Sequence, residues 1–132
     1  MAAPTHKALY ELLSGITDVT DIGHRRIRQQ KAKPYISHFK VSGPPSYSKD
    51  GDEGIDVERH QVNITASDDD TCQSIAEQVR SALNGYSGTV SVDSGVSSVI
   101  IDSIRLEDEN DGLDEPDNAV RIIQDYIIRR KR

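Results

Sequence analysis

The chain has 132 residues, 35% hydrophobic and 29% charged, with a formal net charge of −6. Leu, Ile, Val and Phe number 31, just above the share at which disorder becomes the default, so one domain spanning 1–132 with a thin core is expected. No apolar run approaches the length of a membrane span. The first fifteen residues lack the charged, apolar, small order of a signal peptide. A single cysteine, Cys72, can neither form an internal disulfide nor hold zinc alone, and an intracellular, reducing setting follows.

The net charge hides a segregation. Residues 1–49 carry eight bases against three acids, residues 50–117 carry eighteen acids against three bases, and residues 118–132 return to a net of +4. Taken singly, each block reads as a solvated surface. Taken together, surfaces of opposite sign suit head-to-tail docking of copies, which closes into a ring when the rotation allows. The acidic balance and the lack of aromatics among residues 25–33 argue against dedicated DNA binding.

In chain order, Ala8, Leu9, Leu12 and Leu13 mark one face of a short helix over 5–14, ended by Gly15. Residues 16–23 read as a connector with a short helical turn, and 25–33 as a basic loop closed by Pro34. Residues 35–42 alternate as a strand. The segment GPPSYSKDGDEG, 43–54, reads as an exposed flexible loop. A second strand follows over 55–66, making a hairpin with a long tip. Cys72, Ile75, Ala76, Val79, Ala82 and Leu83 then define a helical face, with Asp70 as cap, Gln73 in capping-box position and Asn84-Gly85 as stop. Residues 88–92 and 96–106 are strand-like, 107–117 form an acidic flexible loop, and 119–129 form a strand apolar on both faces, hence central or covered by a neighbour. Residues 129–132 are a basic tail. The order α-β-β-α-β-β predicts a two-layer α+β domain: an antiparallel sheet of about four strands with two helices packed on one face.

No catalytic constellation, phosphate loop or metal motif is present, so neither enzymatic activity nor a cofactor is expected. His38 and His60 fall on the two strands of the hairpin, where a polar cross-strand pair is the simpler reading than a metal site. Cys72 lies on an apolar helix face and reads as a core thiol. EDENDGLDEPDN superficially resembles a calcium loop, but Glu107 in first position and Asn118 in the last are the wrong ligands.

The order of the motifs resembles the tail-completion proteins of long-tailed bacteriophages, also described as tail terminators or head-to-tail joining proteins. The likeness rests on a short N-terminal helix ending in Gly15, then PYISHFKVSG at 34–43, a polar loop, and HQVNITA at 60–66. SIAEQVRSALNGY at 74–86 and an acidic Glu-Pro loop entering the last strand, 104–132, complete it. The basic character of 25–33 and of the chain end departs from that pattern.

The resemblance implies a non-enzymatic virion protein made in the host cytoplasm. It implies a homo-hexameric ring at the head-proximal end of the tail, in contact with the tail tube protein and with a head connector or adaptor. The assembly candidates are Arg25, Arg26 and Arg28, facing a neighbour or the DNA in the channel, with Tyr47, Lys49 and Asp50 in the first loop. Glu107, Asp108, Glu109, Asp111, Asp114 and Glu115 are the candidates in the acidic segment. A soluble, non-viral protein-binding module with charge-segregated surfaces is the alternative.

Overall fold

The computed structural model describes residues 4–16, 19, 21–24, 34–42, 55–114 and 119–131. The predicted loop 43–54 and basic run 25–33 lie outside these residues. In chain order the elements are α1 (Thr5–Leu13), β1 (Asp21–His24), β2 (Tyr35–Ser42), β3 (Ile55–Ala66), α2 (Asp69–Leu83), β4 (Gly88–Val92), β5 (Ser97–Asp114) and β6 (Ala119–Lys131). One turn of 3-10 helix, Asp93–Gly95, joins β4 to β5.

Both helices form where their apolar spacing places them. α1 buries Thr5, Ala8, Leu9 and Leu13 along one stripe. α2 buries Cys72, Ile75, Ala76, Val79 and Leu83. The cap of α2 is not the expected Asp70 but Asp68, whose extended backbone aims its carboxylate at the Thr71 amide, 3.2 Å away. Asp69 and Asp70 instead occupy the first turn, where negative charge suits the helix dipole. At the other end Gly85 takes φ +84°, a conformation that favours glycine, and its amide donates to the Ile104 carbonyl.

The sheet corrects the predicted fold class. It has six strands, not about four, in the order β1-β2-β3-β6-β5-β4, and it is mixed because β1 runs parallel to β2. Residues 21–23, expected in a connector, form that first strand together with His24; four residues reading Asp-Ile-Gly-His are too few to show an alternation. β6 is central, the first of the two places its apolar faces allow, pairing with β3 from Val120 to Lys131 on one side and with β5 on the other.

Nor is the domain a flat layer of helices on a flat layer of strands. A flat six-stranded sheet is roughly 24 Å wide between its edge strands, and a helix is about 10–12 Å across. Yet α1 touches β1 and β2 at one edge and β4 and β5 at the other. The sheet therefore curls into a half-barrel around the helices. Bulges supply part of the bend. Register shifts fall between Lys40 and Ser42 in β2, and at Asp102 and Glu107 in β5; each adds an unpaired residue that bends and twists its strand.

The core fills the hollow of the curl. Ala8, Leu9 and Leu13 of α1 and Ile75, Val79 and Leu83 of α2 meet Ile36, Val62, Ile64, Ile104, Ile122 and Ile128 of the sheet. Each of these leucine, isoleucine and valine side chains contributes about 1.5–3 kcal/mol on burial. Cys72 is fully buried, its thiol directed at the Ile64 carbonyl at 3.4 Å, and burial pushes its pKa up to about 11.

The acidic segment is the second correction. Residues 107–114 are not a loop: β5 continues to Asp114, paired with β6 through Asp114 and Ala119. An extended strand sends alternate side chains to opposite faces, so these acids cannot wrap one ion as a calcium loop does.

Candidate assembly surfaces

The candidates named from the sequence divide into two groups. Arg25, Arg26, Arg28, Tyr47, Lys49, Asp50 and Glu115 lie outside the described residues. Glu107, Asp108, Glu109 and Asp111 lie on β5, and Asp114 is its last residue. The structure gives the first three of these acids three different environments.

Glu107 occupies the bulge and takes the Arg105 guanidinium at 3.0 Å. Asp108 accepts from the Glu109 amide at 2.9 Å and the Asn110 side chain at 3.2 Å, with its backbone directly opposite Asp125. Glu109 turns the other way. The bulge at Glu107 shifts the alternation by one residue, so Glu109 shares the inner face with Leu106 and stands opposite Gln124.

Glu109 thereby joins a polar network beneath α2. Arg80 of α2 binds both its carboxylate oxygens, at 2.8 and 3.0 Å. Gln124 donates to Glu109 at 2.8 Å and to the Ala76 carbonyl at 3.2 Å. The Tyr126 hydroxyl donates to the Gln124 side-chain oxygen at 2.7 Å. Gln124 and Tyr126 have no solvent exposure. Burial pushes the Glu109 carboxyl up, but the Gln124 hydrogen bond and the Arg80 guanidinium outweigh it and hold the group below its ordinary value. Arg80 is raised in turn, chiefly by its hydrogen bond to Glu109. Burial raises the Tyr126 phenol. The network fastens α2 to two strands, and alternation carried the signal: Gln124 falls between Ile122 and Tyr126 on the buried face of β6.

A second polar cluster closes the opposite end of the hollow, where α1 begins. Glu58 accepts from His60 at 2.8 Å, and Arg130 donates to the Thr5 hydroxyl at 2.9 Å. These four residues, with Pro4, His6 and Lys40, line a pocket of about 350 Å³. Burial pushes the Glu58 carboxyl up; hydrogen bonds from His60 and Thr5, with the charges of His60 and Lys40, more than offset that and lower it. His38 and His60 both lie on the buried face but not opposite each other. The register pairs His38 with Val62 and His60 with Lys40, and the carboxylate partner of His60 is Glu58. Among the described residues no three His, Cys, Asp or Glu side chains converge as metal ligands, and no helix is long and apolar enough to cross a membrane.

The sequence profile described as Tail completion protein gp17 matches residues 7–129. Among solved structures, a chain of the "Virion of native gene transfer agent (GTA) particle" has a similar fold. The TM-score is 0.66 over 94% of this chain and 84% of that one, at 15% identity. No curated protein matches the chain.

Proposed function

The chain belongs to the Tail completion protein gp17 family, structural proteins of the phage tail, and from that premise we propose that it forms a ring that ends the tail tube. In this reading six copies sit at the head-proximal end of the tube, stop its polymerisation and join it to the head connector or an adaptor. The observation that carries the reading is the extent of the family match, from within α1 to near the end of β6. The fold shared with a chain of a virion particle supports it.

Tube subunits add one ring after another, so a terminator must bind the last ring and deny the next one a site. A ring whose two ends differ in shape and charge does this. The segments 43–54 and 107–117, together with Arg25, Arg26 and Arg28, are the proposed contacts to neighbouring proteins, with the arginines facing either acids of a neighbour or DNA in the channel.

Electron microscopy of negatively stained tail tubes, with and without the purified chain, tests the proposal. The expected result is a ring-shaped cap at one end of the tube and attachment of heads to capped tubes alone. Tubes that continue to grow, and join heads equally well without the chain, would overturn it. Charge reversal at Arg25, Arg26 and Arg28 is expected to abolish joining at physiological salt, and reversal of acids within 107–117 to restore it if the two blocks pair directly.

A further inference from the structure

The fold has two faces pointing in opposite directions. Side chains that alternate away from the helices make the outer face of the sheet; the solvent side of α1 and α2 makes the other. On the outer face the register sets Arg59 of β3, Ile127 of β6 and Arg105 of β5 in one row. Val57, Arg129 and Ser103 form the next row, and Ile55, Lys131 and Ile100 the third. Val57 and Ile100 remain exposed. Arg105 and Arg129 are engaged by Glu107 and Asp102, whereas Arg59 and Lys131 have no ion-pair partner among the described residues. The residual charge of this patch is positive.

The helix face is its inverse. Glu11, Asp69, Asp70 and Glu77 are exposed, and none makes an ion pair among the described residues. The lysine and arginine of these helices, Lys7 and Arg80, are already held by Asp93 and Glu109. Between the helices runs an open groove of about 580 Å³, with Leu12, Ile16 and Ala82 as apolar lining and Glu77 and Ser81 beside them.

We infer that the helix face of one copy receives the outer sheet face of the next, with Arg59 and Lys131 meeting Glu11 and Glu77 and the exposed apolar side chains seated over the groove. The inference rests on the ring reading above and names the surfaces that build the ring. Charge complementarity selects the occupant: the basic, partly apolar patch and the acidic, partly apolar groove occur on opposite sides of one chain. Contact between two different surfaces leaves one of each kind free on every pair, so copies add head to tail until the rotation closes. If the sheet face met itself, Arg59 and Lys131 would approach like charges, which disfavours that contact.

Two variants test the inference by sedimentation velocity at several salt concentrations. One carries Arg59→Glu and Lys131→Glu; the other carries Glu11→Lys and Glu77→Lys. All four positions are at least partly solvent-exposed, and far-UV circular dichroism checks that both variants fold. Each alone is expected to associate about a hundredfold more weakly than the unmodified chain, because the residues assigned to meet across the contact now carry like charges. Mixed in equal amounts, they are expected to assemble again, since each supplies the face the other lacks. Variants that assemble singly like the unmodified chain would overturn the assigned faces while leaving the ring intact. A mixture that stays dissociated while the unmodified chain assembles would overturn the pairing. An unmodified chain that is monomeric at every concentration, and absent from tube ends, would overturn the ring reading itself.

Discussion

The polar network beneath α2 is the place to test whether buried hydrogen bonds or packing hold the helix to the sheet. Consider Tyr126→Phe and Gln124→Leu, separately and together. Tyr126→Phe removes the 2.7 Å donor to Gln124 and leaves a fully buried amide oxygen without it. Gln124→Leu strands the Tyr126 hydroxyl in a site with no solvent exposure, and also removes the 2.8 Å donor to Glu109. Each orphaned neutral group costs about 1–3 kcal/mol. The lost bond to Glu109 matters less, because Arg80 still binds both its oxygens and its side chain keeps 32% exposure to water. In the double variant neither orphan exists, since both partners have become apolar. The double loss is therefore expected to be smaller than the sum of the single losses by both orphan costs together, about 2–6 kcal/mol. Urea unfolding of the three variants and the parent, followed by far-UV circular dichroism in dilute protein, gives the cycle directly. Additivity to within about 0.5 kcal/mol would refute the reasoning and leave the two residues as independent packing elements.

Three further outcomes follow from named groups. Glu58→Gln is expected to cost about 1.5–3 kcal/mol at neutral pH, the usual worth of hydrogen bonds to a charged group. The folded carboxyl lies below its ordinary value of 4.5, so its contribution is complete above that pH and declines as pH falls toward the folded pKa. The gap between parent and variant should therefore shrink in acid, and a gap constant from pH 7 to 3 would contradict the assignment. Cys72, with a pKa of about 11 against an ordinary 9.0, holds about a hundredfold less thiolate at pH 8. Ellman's reagent should thus label it at the rate of unfolding, and prompt labelling of the native chain would contradict its burial. Asp68→Ala is expected to cost about 1 kcal/mol through loss of the α2 cap, and Asp70→Ala much less; thermal unfolding ranks the two.

What the sequence made legible was whatever repeats at a structural period. The stripe from Cys72 to Leu83 specifies α2 and its C-terminal end, and the alternation of Val62, Ile64 and Ala66 specifies β3, with the bounds found in the fold for that strand. Apolar residues on both faces of 119–129 marked a strand either central or covered by a neighbour, and β6 is central. β1 was not legible, because a four-residue parallel strand owes its place to the edge of β2 and not to its own pattern. The cap of α2 was misplaced by two residues because three successive aspartates all satisfy the compositional rule, and backbone geometry alone picks Asp68. The curl was hidden for a related reason. It arises from bulges and from α1 bridging both edges, and neither leaves a periodic trace.

The acidic half of β5 shows how far composition misleads when the partner strand does the ordering. Seven acids among residues 107–117 erase any apolar alternation, so the segment reads as solvent-loving chain. Its described part is a strand because β6 offers it a continuous ladder up to the pair Asp114 and Ala119. β6 is itself fixed from the other side by twelve successive residue pairs with β3. Once the ladder is imposed, the identity of each acid depends on parity. Without the bulge at Glu107, the residue two after Leu106 would be Asp108, and this short carboxylate would take the inner position opposite Gln124. The extra residue moves Asp108 to the outer face and turns Glu109 inward, where its longer side chain meets both Gln124 and Arg80. One inserted residue thus separates the carboxylate that fastens α2 from those left on the surface. Charge density alone marks candidates for assembly; the register sorts them, with Asp108 on the outer face and Glu109 and Asp111 on the inner one, and Glu109 is the one of the three that Arg80 and Gln124 tie to the fold.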